Sequence, residues 1–211
     1  MPAVFLTLRF DEETERAIRD LWKLLGDGGI DEAVLSRHRP HITTAAYETG
    51  DLSAVCAALP GLTARRAAIP LPFHSVDVFV ETGTVFLAPR MTSALMSAHR
   101  DLHESASSAW GPSLYPEHLQ PNAWAPHCTL ATRLSLTEVA SAITLCMDHL
   151  RPIDGSAETI GVLVPPATSR TSVNLRTASF NSMGTMNNQL HSEALASWDT
   201  SRSLIKRLFK R

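Results

Sequence analysis

Pro40-His41-Ile42-Thr43-Thr44-Ala45 returns 86 residues later as Pro126-His127-Cys128-Thr129-Leu130-Ala131, and both stretches read Pro-His-x-Thr-x-Ala. In an extended strand successive side chains point to opposite faces, so His41 sits with Thr43 and His127 with Thr129, while Ile42 and Cys128 turn the other way. One face can then serve as a site and the other as a core. Proline cannot donate to a sheet ladder, which suits a strand's first residue, and it biases the residue before it toward extended geometry. Each imidazole is thereby placed near a strand end, where pockets form. One His-x-Thr on a strand is ordinarily structural. Its recurrence with the same proline and alanine, at matching places of a repeat, reverses that reading.

The surrounding pattern supplies the repeat. Val4 to Phe10 alternates as a strand, and Asp11 caps a helix whose apolar positions Ile18, Leu21, Trp22 and Leu25 recur at helical spacing until Gly26, Gly28 and Gly29 stop it. A strand from His41 to Tyr47 leads to a helix from Leu52 to Leu59, ended by Pro60 and Gly61. Ser75 to Val80 and Thr84 to Ala88 form a hairpin across Glu81, Thr82 and Gly83. A second long helix spans Thr92 to Trp110, with Leu95, His99, Leu102 and Ala106 on one stripe, and Gly111 to Asn122 is a loop. The strand His127 to Thr132 precedes a helix opened by a capping box, Ser135 with Glu138, that turns Val139, Ile143, Cys146 and Met147 inward. Thr159 to Val164 and Ser172 to Phe180 close the fold around a Pro-Pro turn. The expected organisation is one domain over residues 1–180 and an extension over 181–211.

With 44% hydrophobic and 19% charged residues, the chain can bury its own core and needs no staples. The opening Met-Pro-Ala-Val-Phe-Leu run has no basic leader and reads as no secretion signal, and no apolar run approaches a membrane span. Three cysteines at Cys56, Cys128 and Cys146 suit reduced thiols in a cytoplasmic setting. The net charge is −2 although Arg202, Lys206, Arg207, Lys210 and Arg211 crowd the end, so the body is acidic. That argues against a broad nucleic-acid-coating surface and leaves room for a nucleotide in a local pocket. A monomer is expected. The terminal stretch puts Leu204, Ile205, Leu208 and Phe209 on one helical face; docking on the body or disorder is the default expectation, contact with membrane or RNA phosphate the alternative.

Two histidines facing one cleft suit displacement at phosphorus, where one side takes a proton and the other gives one. Histidine ionises near neutrality, so one copy can be neutral and the other charged, and threonine hydroxyls can donate to the non-bridging oxygens. Neither role needs a metal. His99 and His103 stand four apart on a helix without the glutamate of a metalloprotease helix or a third ligand, so they read as a structural pair; as a metal site, His38 with His41 has the same shortcoming.

At these residues the sequence resembles the two-histidine (2H) phosphoesterase superfamily, which includes the RNA 2′,3′-cyclic phosphodiesterases also called 2′-5′ RNA ligases. The resemblance runs from about Val4 to Phe180 in element order, and His41, Thr43, His127 and Thr129 match the family's functional positions; Thr44 is polar where an apolar residue is common. It implies an α+β fold of two pseudo-symmetric lobes, with antiparallel sheets around a central cleft and outer helices. It implies metal-free, cofactor-free catalysis on a nucleotide or RNA end. The expected substrate is a 2′,3′-cyclic phosphate or a 2′-5′ linkage. The rivals are a hydrolase of cyclic oligonucleotide signals and a nucleotide- or RNA-binding module without turnover. Around the motifs, Tyr47 and Arg133, six residues after each histidine, are candidates to bind a base and a phosphate. Arg39 is a further phosphate candidate, and Trp124 and Tyr115 a stacking platform.

Overall fold

Ala3–Phe10 (β1) sets Leu6, Leu8 and Phe10 on one side of the pleat and Thr7 and Arg9 on the other, and all five are buried. In this computed structural model residues 3–30, 39–48, 52–63, 67–163 and 176–179 are described. Helix α1 (Glu12–Asp27) starts where the Asp11 carboxylate accepts from the Thr14 N–H at 2.8 Å, and Ile18, Leu21, Trp22 and Leu25 are its buried stripe. Gly26 lies inside the helix; the stop is at Gly28, whose N–H reaches the Leu24 carbonyl.

The first motif strand is Ile42–Glu48 (β2), followed by helix Leu52–Thr63 (α2). Pro60 and Gly61 were expected to end α2 and do not. A proline forfeits one i→i−4 bond, and within the last turn few later bonds depend on it. Strand Ile69–Phe79 (β3) begins six residues before the expected Ser75. Its prolines, Pro70 and Pro72, hid the start. Over that stretch β3 pairs with one neighbour only, and the Pro72 carbonyl points outward to the Arg90 N–H at 2.8 Å, so the missing donors fall on the free side.

Strand Thr84–Pro89 (β4) leads to helix Ser93–Trp110 (α3), capped by Thr92. A one-turn helix, Pro116–Leu119 (α4), sits in the expected loop. Strand Cys128–Ala131 (β5) carries the second motif, and helix Leu136–His149 (α5) opens on the Ser135–Glu138 capping box. Ala142 and Cys146 are buried, but Met147, expected inward, is 75% exposed. Strands Ile153–Leu163 (β6) and Arg176–Ser179 (β7) complete the fold. The start of β6 was missed because Gly155 breaks the apolar pattern; a Cβ there would stand 2.2 Å from Thr14 Oγ1, so glycine lets α1 press on the sheet. The basic stretch 201–211 lies outside the described residues.

The architecture is α+β, as expected. All pairings are antiparallel in the order β2-β1-β6-β3-β4-β5, with β7 beside β6, so β3–β6 pairing runs the strands of both halves into one sheet. The two motif strands are its outermost members. Helix α1 follows β1 yet packs on β5, β6 and α5, whereas α3 follows β4 yet packs on β2, β3 and α2. Each half thus covers the other's motif strand.

Candidate active site

The pleat treats the two motifs alike. His41, Thr43, His127 and Thr129 are half-buried, while Ile42, Thr44, Cys128 and Leu130 are buried beneath them. The His41 backbone lies against the Cys128 thiol, which brings the two motifs together. Burial pushes the Cys128 thiol up to about 12, leaving it protonated and inert.

Both histidine rings are anchored in the same way. His41 Nδ1 lies 2.7 Å from the Arg39 carbonyl and His127 Nδ1 2.8 Å from the Ala125 carbonyl, in each case two residues upstream. A carbonyl only accepts, so Nδ1 carries the proton and Nε2 of the neutral ring keeps its lone pair. The rings differ in their surroundings. Phe79 and Phe86 stand edge-on or tilted against His127, with centroids at 4.9 and 5.3 Å. Burial holds His127 below the ordinary histidine value, against the pull of its hydrogen bond to Ala125.

Both strands also carry a bulge at the same place. Thr7 faces Thr43 but Leu6 faces Ala45, leaving Thr44 extra; Phe86 faces Thr129 but Val85 faces Ala131, leaving Leu130 extra. The extra residue reverses the parity of all that follows. Tyr47 was expected to share the histidine's face; it lies instead on the opposite one, fully buried, its hydroxyl donating to the His103 carbonyl of α3 at 3.3 Å. Buried there, Tyr47 presents no surface to a base. Arg133 lies past the end of β5 in a left-handed turn (φ 62°), exposed, with its N–H on the Thr82 carbonyl.

The other candidates also take structural posts. The Arg39 guanidinium is held by Glu15, with Nη2 2.6 Å from Oε2. Burial opposes that carboxylate, yet hydrogen bonds from Arg39 and Arg19 keep Glu15 below its usual value. What Arg39 gives the site is its carbonyl. Trp124 is 6% exposed, stacks on His99 at 3.8 Å and donates its indole N–H to the Thr43 carbonyl at 2.9 Å, so its faces are not open to a base. Tyr115 takes a left-handed conformation at the start of α4, half-buried, and anchors that turn.

Several site neighbours escaped sequence reasoning. Trp22 of α1 donates to the Thr129 carbonyl at 3.0 Å, the counterpart of Trp124 on Thr43. Arg9 is 1% exposed and places Nη1 on the Arg39 and Pro40 carbonyls. Its signal was legible: Thr7 and Arg9 are polar at alternate positions of an otherwise apolar strand. Phe79 and Phe86 carry no such mark. His99 and His103 form no metal pair; His99 is buried, with Nε2 2.9 Å from the Thr44 carbonyl. Among the described residues no group of three or more His, Cys, Asp or Glu is placed to hold a metal ion. A cavity of about 540 Å³ between α1 and the α5–β6 connection contains no residue of either motif.

Comparison with known proteins adds an independent line. The family model described as the 2′-5′ RNA ligase superfamily matches residues 10–166. No protein of curated function matches the sequence. Among solved structures, apo LigT of E. coli is similar at 15% identity and a TM-score of 0.55, over 84% of this chain and 96% of that one. TT0787 of Thermus thermophilus is similar at 13% identity and a TM-score of 0.54, over 86% and 100%. E. coli LigT complexed with 3′-AMP is similar at 13% identity and a TM-score of 0.51, over 85% and 96%. At such identities the likeness is one of fold.

Proposed function

Because the chain belongs to the 2′-5′ RNA ligase superfamily, the 2H phosphoesterases, we propose that it is a metal-independent phosphodiesterase acting on nucleotide phosphodiesters by paired-histidine acid–base catalysis. The preferred substrates are RNA 2′,3′-cyclic phosphates or 2′-5′ linkages. One observation supports the reading: two equivalent His-Thr pairs, each with its ring anchored through Nδ1 so that the neutral ring carries its lone pair on Nε2. That arrangement offers a proton acceptor and a proton donor with two hydroxyls for the non-bridging oxygens.

The burial of His127 against Phe79 and Phe86 supports one division of the roles. His127, held neutral by its phenyl wall, takes the proton of the attacking water through Nε2. His41 in its charged form protonates the departing ribose oxygen. Opening a 2′,3′-cyclic phosphate with loss of the 3′ oxygen leaves a 2′-phosphate. Phe79, half-buried beside His127, offers apolar surface to a base. That E. coli LigT was crystallised with 3′-AMP agrees with a nucleotide ligand.

The test is turnover of 2′,3′-cyclic nucleotides, 2′-5′ dinucleotides and cyclic dinucleotides after exhaustive chelation, with product isomers identified. Hydrolysis of the first two classes in EDTA is expected. Activity that chelation abolishes and zinc or manganese restores overturns the metal-free mechanism. Turnover of cyclic dinucleotides alone replaces the substrate with a cyclic signal. No turnover of any phosphodiester leaves a binding module.

A further inference from the structure

Arg9 is buried without a carboxylate of its own. Among the described residues no acid forms an ion pair with it, and its Nε has no hydrogen-bond partner. Room for it comes from Gly161, where a Cβ would stand 3.0 Å from Arg9 Nε and 2.9 Å from Thr7 Oγ1. The pairing of Leu8 with Ile42, continued one step, sets Arg9 opposite His41 on the face of Thr7 and Thr43. The Arg39 carbonyl therefore takes two donors, His41 Nδ1 at 2.7 Å and Arg9 Nη1 at 3.1 Å. No cation shares the Ala125 carbonyl that anchors His127, among the hydrogen bonds of the described residues.

We propose that Arg9 is a positioning residue for the reaction: it fixes the carbonyl on which His41 turns and, through it, makes protonated His41 a stronger acid. A cation on the far side of the shared acceptor draws its electron density away from the imidazole. A like charge across a water-poor gap is also poorly screened. Among the described residues no charge nearby cancels it. From α1 come Glu15 and Arg19, from the segment before β2 Arg39, and from β5 the Cys128 thiol. Glu15 is engaged by Arg39 and Arg19, so among the described residues the balance around Arg9 stays positive. Burial, and next Arg39, pull Arg9 itself down to about 10, which leaves it charged at neutral pH. A phosphodiester anion in the cleft would offset this excess as the proton passes from His41 Nε2 to the leaving oxygen. The ring ends neutral, with its Nδ1–H still on Arg39.

The inference rests on reading His41 as the proton donor, but its test needs no turnover. NMR titration of the imidazoles is run on wild type, Arg9→Gln and Arg9→Lys. In Arg9→Gln the His41 midpoint should rise by about one unit, the scale of a lost neighbouring charge. Arg9→Lys should restore most of the shift, and His127 should stay within a few tenths in both. The alkaline limb of kcat/KM should move upward with His41. If Arg9→Gln does not fold, the wild-type Arg9 guanidinium ¹⁵N resonances carry the test, since they should follow the His41 titration. An unmoved His41, an equal shift at both histidines, or a guanidinium blind to His41 overturns the proposal. A His41 shift in a protein that hydrolyses no phosphodiester supports the coupling and removes the substrate reading alone.

Discussion

The two phenyl rings against His127 set where its proton comes and goes. A ring held below the usual histidine value stays unprotonated until the pH falls beneath that lowered value, so the acid limb of kcat/KM should lie below pH 6.5 (about the free-histidine value). Phe79→Ser wets the ring from one side and should move that limb upward in a pH–rate profile; an unmoved limb would mean that another group titrates there. His41→Ala and His127→Ala should each lower turnover by roughly two to four orders of magnitude with little change in folding, the usual scale of a general acid or base. On the proposed mechanism Thr43→Ala and Thr129→Ala each remove a charge-stabilising donor and should cost about ten- to a thousandfold. Steady-state kinetics on a 2′,3′-cyclic nucleotide, with circular dichroism as the folding control, checks all four.

The matching bulges explain both what the motif strands disclose in sequence and what they conceal. Histidine and threonine at i and i+2 sit before the extra residue, so simple alternation places them correctly. Tyr47 sits after it, and nothing in Ile-Thr-Thr-Ala-Ala-Tyr announces a bulge, because an inserted residue looks like any other until a partner strand is laid beside it. Helices were easier to read where a cap and a buried stripe agree, as at Asp11 and at Ser135 with Glu138. Turns are the other place where local chemistry decides. Gly83 has φ 58°, and a Cβ there would stand 2.2 Å from the Leu134 carbonyl oxygen, which belongs to the backbone and cannot swing aside. Gly83→Ala should therefore cost about 1–3 kcal/mol and loosen the β3–β4 hairpin against the loop after β5. Urea unfolding measures the loss; a cost under a few tenths would mean that the loop yields freely.

On the scale of the molecule, the buried histidine of α3 makes stability depend on pH. The unfolded chain protonates His99 near 6.5 and the folded one only near 4, chiefly because burial disfavours the charge. Between those values the unfolded state holds more protons, so stability falls as the pH is lowered through the window and levels off below it. At pH 5 the loss from this residue is about 2 kcal/mol relative to pH 7. Denaturation midpoints at pH 7 and pH 5 should separate in wild type and separate less in His99→Gln, the remainder coming from His127 and His103. The two indoles act at the same scale. Trp22 and Trp124 each satisfy the carbonyl of one motif threonine, so Trp22→Phe and Trp124→Phe should each leave a buried acceptor unmet, at about 1–3 kcal/mol and about a tenfold loss of kcat. Thermal unfolding and kinetics on the two variants check this. The carbonyls they cover lie along the open margins of the sheet, β2 and β5, where Leu114 and Ser113 also close off the Ala46 carbonyl. An uncovered margin is a template on which a strand from another molecule can add. The stitching that holds the threonines in place should thus also hinder strand addition by another copy, and a variant that loosens it should lose solubility with rising concentration as well as rate.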